Sequence, residues 1–218
     1  MTLREESFTS VFAQALRGEP CRVHGLAAEP ERLPVTVWSQ EAGPVDREML
    51  SHCVGPTLDV GCGPGRMAAQ LLGAGHVVLG IDVVPEAVWQ TRGRGVVALH
   101  RDVFDPVPGE GRWQTALLAD GNVGIGGDPV ALLSRVRELL GPRGRVVAEL
   151  AGPGVPMSSR TVRLECAGAH SRPFSWAVVG TDDAAPVAAA AGLAVRGTHG
   201  RAGRWWAVLE REGDRSVA

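Results

Sequence analysis

The sequence LDVGCGPGRMAAQL, residues 58–71, joins a short apolar run to a glycine-rich turn and then to a helical pattern. Gly61, Gly63 and Gly65 lack the Cβ atoms that would keep a ligand away from the backbone, and they permit a tight turn from strand to helix. The helix that follows Gly65 would direct free backbone N–H groups toward a polar or anionic ligand. This stretch predicts a parallel α/β fold with a ligand site at the turn.

Strand and helix patterns alternate on both sides of this stretch. Apolar strands are predicted at residues 57–60, 76–81, 96–100, 114–119 and 145–150, with helices at 66–72, 85–92 and from Asp128 onward. Continuous apolar strands that alternate with helices are typical of a parallel sheet covered on both faces. A helix at 183–191 and two closing strands, at 193–198 and 204–209, complete the pattern. We predict a Rossmann-like doubly wound α/β sheet, mostly parallel, with an antiparallel closing strand.

Two segments lie outside this repeating pattern. Residues 1–43 are predicted to be an N-terminal helical or cap segment that precedes the main domain, residues 44–218. Within that segment we expect a helix and two extended pieces, at residues 5–17, 21–26 and 33–38. Residues 152–180 interrupt the sheet pattern and are predicted to form a hairpin insert on the substrate side of the domain. The alternative, a hairpin that only extends the sheet, stays open at this stage.

Composition excludes several classes of protein. The 218 residues carry a net charge of −2, and nucleic-acid binders usually carry a clear basic excess. The first ten residues, MTLREESFTS, lack the basic and apolar regions of a signal peptide, and no stretch has the apolar length of a membrane span. We therefore expect a cytoplasmic protein without nucleic-acid or membrane partners. The scattered cysteines argue against a zinc site and a disulfide framework; they are Cys21, Cys53, Cys62 and Cys166.

Acidic residues stand at the ends of three further predicted strands. Asp82 could accept hydrogen bonds from ribose hydroxyls, although it could also cap the helix that follows. Asp102 is placed to accept from an adenine amino group, with Asp105 as a competing candidate. Asp120 precedes a glycine-rich loop that would either approach a ligand closely or only be flexible. Because ligands bind outside the carboxyl ends of strands in open parallel sheets, these acids predict one shared site.

The segments LDVGCGPGRMAAQL, GIDVVPEAV, HRDVF and LLGPRGRVVAEL resemble successive motifs of the class I S-adenosylmethionine-dependent methyltransferases. The resemblance covers about residues 44–151 and implies S-adenosylmethionine as the cofactor. It implies that the glycine turn contacts the methionine part, that Asp82 contacts the ribose and that Asp102 contacts the adenine. The predicted cofactor-binding residues are Asp59, Gly61, Cys62, Gly63, Gly65, Asp82, Val83, Asp102, Val103 and Asp120.

The predicted function is transfer of a methyl group to an oxygen or nitrogen atom of a small organic acceptor. Asp120 is followed by Gly-Asn where many N-methyltransferases of adenine or glutamine carry (D/N)PP(Y/F), which disfavours those acceptors. An alcohol or phenol acceptor would need a general base, and the candidate catalytic residues are Asp120, Glu149 and His170. No metal is expected. Trp38 and Trp176 flank the cofactor-binding segments and would either cap the site or simply pack.

Two alternatives remain from the sequence. An NAD(P)-dependent oxidoreductase would carry GxGxxG and a catalytic tyrosine or lysine, whereas this chain has GxGxG and contains neither residue type. A non-catalytic subunit could retain the cofactor fold without turnover. The sequence leaves the identity of the acceptor and the oligomeric state open.

Overall fold

The computed structural model describes residues 4–212. The strands are β1 (Arg4–Glu6), β2 (Cys21–His24), β3 (Glu31–Arg32), β4 (Thr57–Val60), β5 (Val78–Asp82), β6 (Val97–His100), β7 (Trp113–Leu118), β8 (Leu140–Leu150), β9 (Ser158–Cys166), β10 (Ala169–Ser171), β11 (Phe174–Val178), β12 (Leu193–Arg201) and β13 (Arg204–Arg211). The helices are α1 (Phe8–Leu16), α2 (Val35–Trp38), α3 (Pro44–Leu50), α4 (Arg66–Gly73), α5 (Pro85–Gly93), α6 (Pro129–Leu139) and α7 (Ala184–Ala190). Short 3-10 helices lie at Asn122–Gly124 and Thr181–Asp183.

The central sheet has the strand order β12-β13-β8-β7-β4-β5-β6. Strands β4 to β8 run parallel to their neighbours, and β13 pairs antiparallel with both β8 and β12. The chain crosses from β6 to β7 on the other side of β4, so the strand order reverses beside β4. The predicted Rossmann-like sheet with an antiparallel closing strand is therefore confirmed.

Both faces of the central sheet are buried, as the continuous apolar strands predict. Leu118 belongs to an apolar cluster with Leu132 and Leu133 of α6, whereas its neighbour Leu117 belongs to a cluster with Leu71 of α4 and Met49 of α3. Successive side chains of a strand point to opposite faces, so these two clusters cover the two sides of the sheet. The layers hold the carboxyl ends of β4, β5, β6 and β7 at one common edge.

A second sheet joins the N-terminal segment to the insert, in the order β1-β10-β9-β2-β3, with β11 paired to the other end of β9. Strand β2 pairs antiparallel with β9, and β1 pairs parallel with β10. Helix α1 packs on this sheet through Val11 and Ala15, which share an apolar cluster with Val162 and Leu164. The insert thus holds three strands rather than the two of the predicted hairpin, and the extended piece predicted at residues 21–26 contains β2. We call the second sheet with α1 and α2 the cap.

Two local predictions were wrong. Leu33–Trp38 was expected to be extended, but Val35–Trp38 forms helix α2, and the ring of Trp38 lies 6.0 Å from that of Phe12. Tertiary packing of this kind overrides the strand preference of valine, threonine and tryptophan. Cys21 and Cys166 form a disulfide, because the β2–β9 register places them directly opposite each other across 145 residues of sequence.

Among residues 4–212, no helix is long and apolar enough to span a membrane. Over the same residues, no group of three or more histidine, cysteine, aspartate or glutamate side chains could hold a metal ion.

Candidate active site

A cavity of about 650 Å³ lies between the carboxyl edge of the central sheet and the cap. On the sheet side it is lined by the turn after β4, the end of β5, the segment after β6 and the loop after β7. On the cap side it is lined by residues of α1, α2, β2, β9 and β11. Its volume lies within the range of about 300–1,000 Å³ that is usual for small-molecule sites.

The three glycines of the turn have positive φ angles but different surroundings. A Cβ at Gly61 would lie 2.7 Å from Nδ2 of Asn122, and one at Gly65 would lie 2.7 Å from Oγ1 of Thr91. A Cβ at Gly63 would meet no protein atom within 4 Å, and Gly63 lines the cavity. Gly61 and Gly65 are therefore required for close packing of the chain on itself, whereas the space beside Gly63 is available to a ligand.

Asp82 ends β5 at the cavity and is only 8% exposed. Its Oδ2 accepts a hydrogen bond from the backbone N–H of Gly63 at 3.0 Å, and its Oδ1 accepts one from Val84 at 2.8 Å. Burial raises the pKa of this carboxyl, against the lowering by those two hydrogen bonds. The N-cap of α5 is Val84, which makes no side-chain cap, so Asp82 is not the capping residue considered from the sequence. Each oxygen keeps a further lone pair for a ligand hydroxyl.

Asp102 and Val103 line the cavity after β6, as does the next residue, Phe104. The Oδ1 of Asp102 accepts the backbone N–H of Phe104 at 3.0 Å, which fixes the turn. Asp105, the competing candidate, is not among the lining residues, and its carbonyl accepts from Arg135. Of the two acids, the structure brings Asp102 to the site.

Two further predicted residues, Asp59 and Cys62, are buried in surroundings that favour the protonated, uncharged form of each side chain. Asp59 of β4 is buried and is not among the residues that line the cavity, and within residues 4–212 its Oδ2 has no hydrogen-bond partner. Burial, reinforced by the charges of Asp120 and Asp82, raises the pKa of Asp59 to about 7. Cys62 lines the cavity, and burial raises the pKa of its thiol well above the ordinary value. A thiol held in its neutral form is a poor nucleophile.

Asp120 belongs to a network of two arginines and three carboxylates. Arg66 donates through Nη2 to both oxygens of Asp120, at 2.8 and 2.7 Å, and also pairs with Asp46. Arg204 of β13 donates to both oxygens of Glu149, at 2.6 and 2.7 Å, and pairs with Asp46. The N–H of Asp120, whose φ is +52°, donates to Glu149 at 2.7 Å. Charge-assisted bonds of this kind hold the ends of β7 and β8 against α3, α4 and β13.

The three candidate catalytic residues therefore have different positions. Asp120 lines the cavity, and burial raises the pKa of its carboxyl while Arg66 and Arg204 lower it. Glu149 is not among the lining residues, because both of its oxygens are turned to Arg204. His170 lies on β10 in the cap, outside the lining, with Nδ1 3.3 Å from the carbonyl of Ser171. A catalytic role for Glu149 or His170 stays a prediction that this placement does not favour.

The sequence prediction missed several residues of the site. Asn122 lines the cavity and donates through Nδ2 to the carbonyls of Val60 and Gly61, at 2.9 and 2.8 Å. The sequence feature that could have identified Asn122 is its position two residues after Asp120, in the glycine-rich loop. Arg66 also lines the cavity, directly after the glycine turn. No motif in the sequence indicated that Asp46 and Arg204 would pair with Arg66 and Asp120.

Trp38 and Trp176 both line the cavity from the cap. Trp176 also forms an isolated bridge with Ile125, in the loop after β7. The two tryptophans thus combine packing with a place at the site.

Comparison with known proteins agrees with this geometry. Residues 58–148 match the sequence family described as a methyltransferase domain. Among curated proteins, no sequence matches this one. A solved methyltransferase from Bacteroides fragilis in complex with S-adenosyl-L-homocysteine is 21% identical, with a TM-score of 0.76 over 93% of each chain.

Two further solved structures share the fold over 80% of this chain, each with a TM-score of 0.57. One is the 1,6-didemethyltoxoflavin-N1-methyltransferase of Burkholderia thailandensis, 22% identical over 80% of its own length. The other is an amino pentose methyltransferase from Micromonospora echinaspora, 20% identical over 91% of its own length. Residues 58–148 thus match a methyltransferase domain, and the chain shares the fold of these solved methyltransferases.

Proposed function

We propose that this protein binds S-adenosylmethionine at the carboxyl edge of the central sheet and transfers its methyl group to an oxygen or nitrogen atom of a small organic acceptor held under the cap. The observation that carries the proposal is the shared cavity. Its sheet side presents the glycine turn and the strand-end acids, and its cap side presents a second, apolar surface. A site for two ligands is what a transfer reaction requires.

The sheet side fits the proposed cofactor. The space beside Gly63 admits a ligand close to the backbone, and Asp82 offers lone pairs to a diol. Val103 gives an apolar surface beside Asp102, as a purine needs. The solved relatives with bound S-adenosylhomocysteine or S-adenosylmethionine support the assignment.

The chemistry divides between cofactor and protein. When bound, S-adenosylmethionine supplies an activated methyl group, so the protein mainly has to position the two ligands. Arg66 fixes Asp120 at the cavity, where its carboxylate can accept a hydrogen bond from an acceptor O–H or N–H. The cap lies over the carboxyl edge of the sheet and forms the opposite side of the cavity.

The structure disfavours the two alternatives. In a dinucleotide site the third glycine of the fingerprint serves close packing of helix and strand, three residues after the second. Here Gly65 already packs against Thr91 of α5, only two residues after Gly63. A non-catalytic subunit would need no second surface, yet the apolar cap side of the cavity is open to a ligand.

A cytoplasmic location stays a prediction from the N-terminal sequence. The disulfide between Cys21 and Cys166 argues against that location, because disulfides are rare in reducing compartments such as the cytoplasm.

Isothermal titration with S-adenosylhomocysteine and with NADPH tests the cofactor assignment. We expect S-adenosylhomocysteine to bind and NADPH not to bind, and the reverse would overturn the proposal. Incubation with methyl-labelled S-adenosylmethionine and a metabolite extract then tests transfer. Labelled methyl should appear in a small molecule, and its amount should fall in the Asp82→Ala variant at subsaturating cofactor. Label found only in macromolecules would contradict the small-acceptor proposal.

A further inference from the structure

The cap side of the cavity has a consistent chemical character. The residues that the N-terminal segment and the insert contribute to the lining are apolar, with the exception of Glu31, Arg32 and Ser175. All three exceptions are exposed. Apart from these three residues and the indole N–H groups of Trp38 and Trp176, the side chains on the cap side of the lining offer a ligand no strong hydrogen-bonding group.

Aromatic rings dominate this inner surface. Phe8 and Phe12 of α1, Trp38 of α2, and Phe174 and Trp176 of β11 line the cavity, and we call these five residues the aromatic wall. The ring centroids of Phe8 and Phe174 are 4.7 Å apart, and those of Phe8 and Phe12 are 5.4 Å apart. Trp38 continues the series at 6.0 Å from Phe12. Three separate elements thus build one continuous aromatic surface.

The wall retains free ring surface. All five residues are half-buried rather than buried, although each belongs to or packs against the apolar cluster of the cap. Their remaining exposed surface faces a cavity that the sheet closes on the opposite side. Apolar surface left in contact with water in this way is typical of a ligand site, because the ligand supplies the missing burial.

We propose that the acceptor is an apolar, ring-bearing molecule, aromatic or heteroaromatic, that stacks on the aromatic wall. The inference rests on the proposed function and names the substrate class of the same site. Aromatic rings attract other rings in offset or edge-to-face arrangements, beyond the gain from apolar burial. A hydroxyl-rich acceptor such as an amino sugar would bury hydroxyl groups without partners against this wall, which is unfavourable.

The size of the cavity limits the acceptor further. About 650 Å³ has to hold both the cofactor and the acceptor, and that volume is usual for one drug-sized ligand. The acceptor therefore has room for a small fused ring system rather than for a large natural product.

Binding of model compounds tests the proposal without knowledge of the true acceptor. Quinoline, a planar apolar bicycle, and glucosamine, a polar amino sugar of similar size, are titrated into the protein saturated with S-adenosylhomocysteine. The readout is ligand-observed saturation-transfer NMR. We expect quinoline to bind with a Kd of about 1 mM or tighter and glucosamine to show no saturable binding. Equal binding of the two compounds, or binding of glucosamine alone, would overturn the inference.

Variants locate the bound compound. Phe174→Leu keeps an apolar side chain but removes the ring, and it should weaken quinoline about fivefold while leaving the affinity for S-adenosylhomocysteine within about threefold. Phe8→Leu, on a different element, serves as the second variant if Phe174→Leu does not fold. Trp89→Leu is the control, because Trp89 is 71% exposed on α5 and does not line the cavity. Unchanged quinoline affinity in both wall variants would reject the aromatic wall as the acceptor site.

The same titration without S-adenosylhomocysteine separates the two proposals. If S-adenosylhomocysteine fails to bind but quinoline binds and depends on Phe174, the cofactor assignment fails and the wall is retained. If S-adenosylhomocysteine binds and quinoline does not, the substrate class is rejected and the methyltransferase assignment stands.

Discussion

Replacement of Asp82 by alanine is the most direct test of the cofactor site. The carboxylate of Asp82 accepts one backbone hydrogen bond within the glycine turn and one at the start of α5, and it faces the cavity at the end of β5. Asp82→Ala therefore removes a ligand acceptor and two internal bonds that shape the turn. We expect weaker cofactor binding together with a modest loss of stability.

The magnitude follows from the bonds that are lost. A hydrogen bond to a charged group contributes about 1.5–3 kcal/mol, so loss of the ligand contact alone weakens binding by at least about tenfold. Loss of the bonds to Gly63 and Val84 adds to this, since the turn then has to be ordered by the ligand. Part of the stability loss is offset, because burial already makes the charged form of Asp82 unfavourable. Asp82→Asn keeps the size but loses the charge and should fall between wild type and Asp82→Ala.

Titration calorimetry with S-adenosylhomocysteine gives the affinity, and thermal unfolding of the same samples gives the stability. Asp128→Ala is the matched control, since Asp128 also accepts a backbone N–H, at 3.0 Å as the N-cap of α6, but does not line the cavity. It should lose about 0.5–2 kcal/mol of stability and retain its affinity. A folded Asp82→Ala protein with a Kd within threefold of wild type would refute the placement of the cofactor.

Three further predictions concern the turn, its buried acid and the disulfide. Gly63→Val fills the space beside the turn that is open to a ligand, and it places a branched side chain at a φ of +52°. The affinity for S-adenosylhomocysteine, measured by calorimetry, should therefore fall more than in Asp82→Ala. Normal affinity would mean that the turn has only a structural role. The pKa of Asp59 is raised from 3.8 to about 7, so the folded protein loses stability as pH rises between these two values. In urea unfolding, Asp59→Asn should reduce the loss of unfolding free energy between pH 5 and pH 8 by about 2–3 kcal/mol relative to wild type. An unchanged pH dependence would contradict this. Reduction of the Cys21–Cys166 disulfide should lower the Tm of the wild-type protein. The bond closes a loop of 145 residues, and this closure contributes at most about 5 kcal/mol to the free energy of unfolding. Cys166→Ser should abolish that sensitivity and Cys53→Ser should keep it, whereas a Tm indifferent to reductant would exclude the bond.

The central sheet was predictable because its signals are local. The strand predicted at residues 57–60 is β4 with the same bounds, and the turn and helix after it are as expected. Strand β4 is a short apolar run followed by Gly61, and β5 is one that ends at Asp82, so neither their position nor their type depends on distant residues. The cap gives no such signal. The pairing of β2 with β9 joins residues more than 130 positions apart, and periodicity within one segment does not reveal its partner.

The residues of the candidate site also differ in whether local sequence predicts them. Asp82 and Asp102 were predictable because strand ends of a parallel sheet share one edge. The ion-pair network around Asp120 was not, because Arg204 comes from β13 and Asp46, which pairs with Arg66 and Arg204, comes from α3, and neither residue stands beside a recognisable motif. An arginine in a closing strand is usually solvated, and here the packing of β13 against β8 and α3 makes Arg204 a half-buried ion-pair partner.

The way the cap is attached decides which wall residue tests the acceptor site most cleanly. Helix α1 is linked to α5 by the pair of Arg17 with Glu86, at 3.3 Å, and by a shared apolar cluster that includes Val84. The N–H of Val84 is also the donor to Asp82, so a shift of α1 can reach the cofactor side. Phe174 touches Phe8 but lies on β11, which pairs with β9 of the cap and not with a strand of the central sheet. A change at Phe8 is therefore expected to disturb both ligands to some degree, whereas a change at Phe174 should act on the acceptor alone.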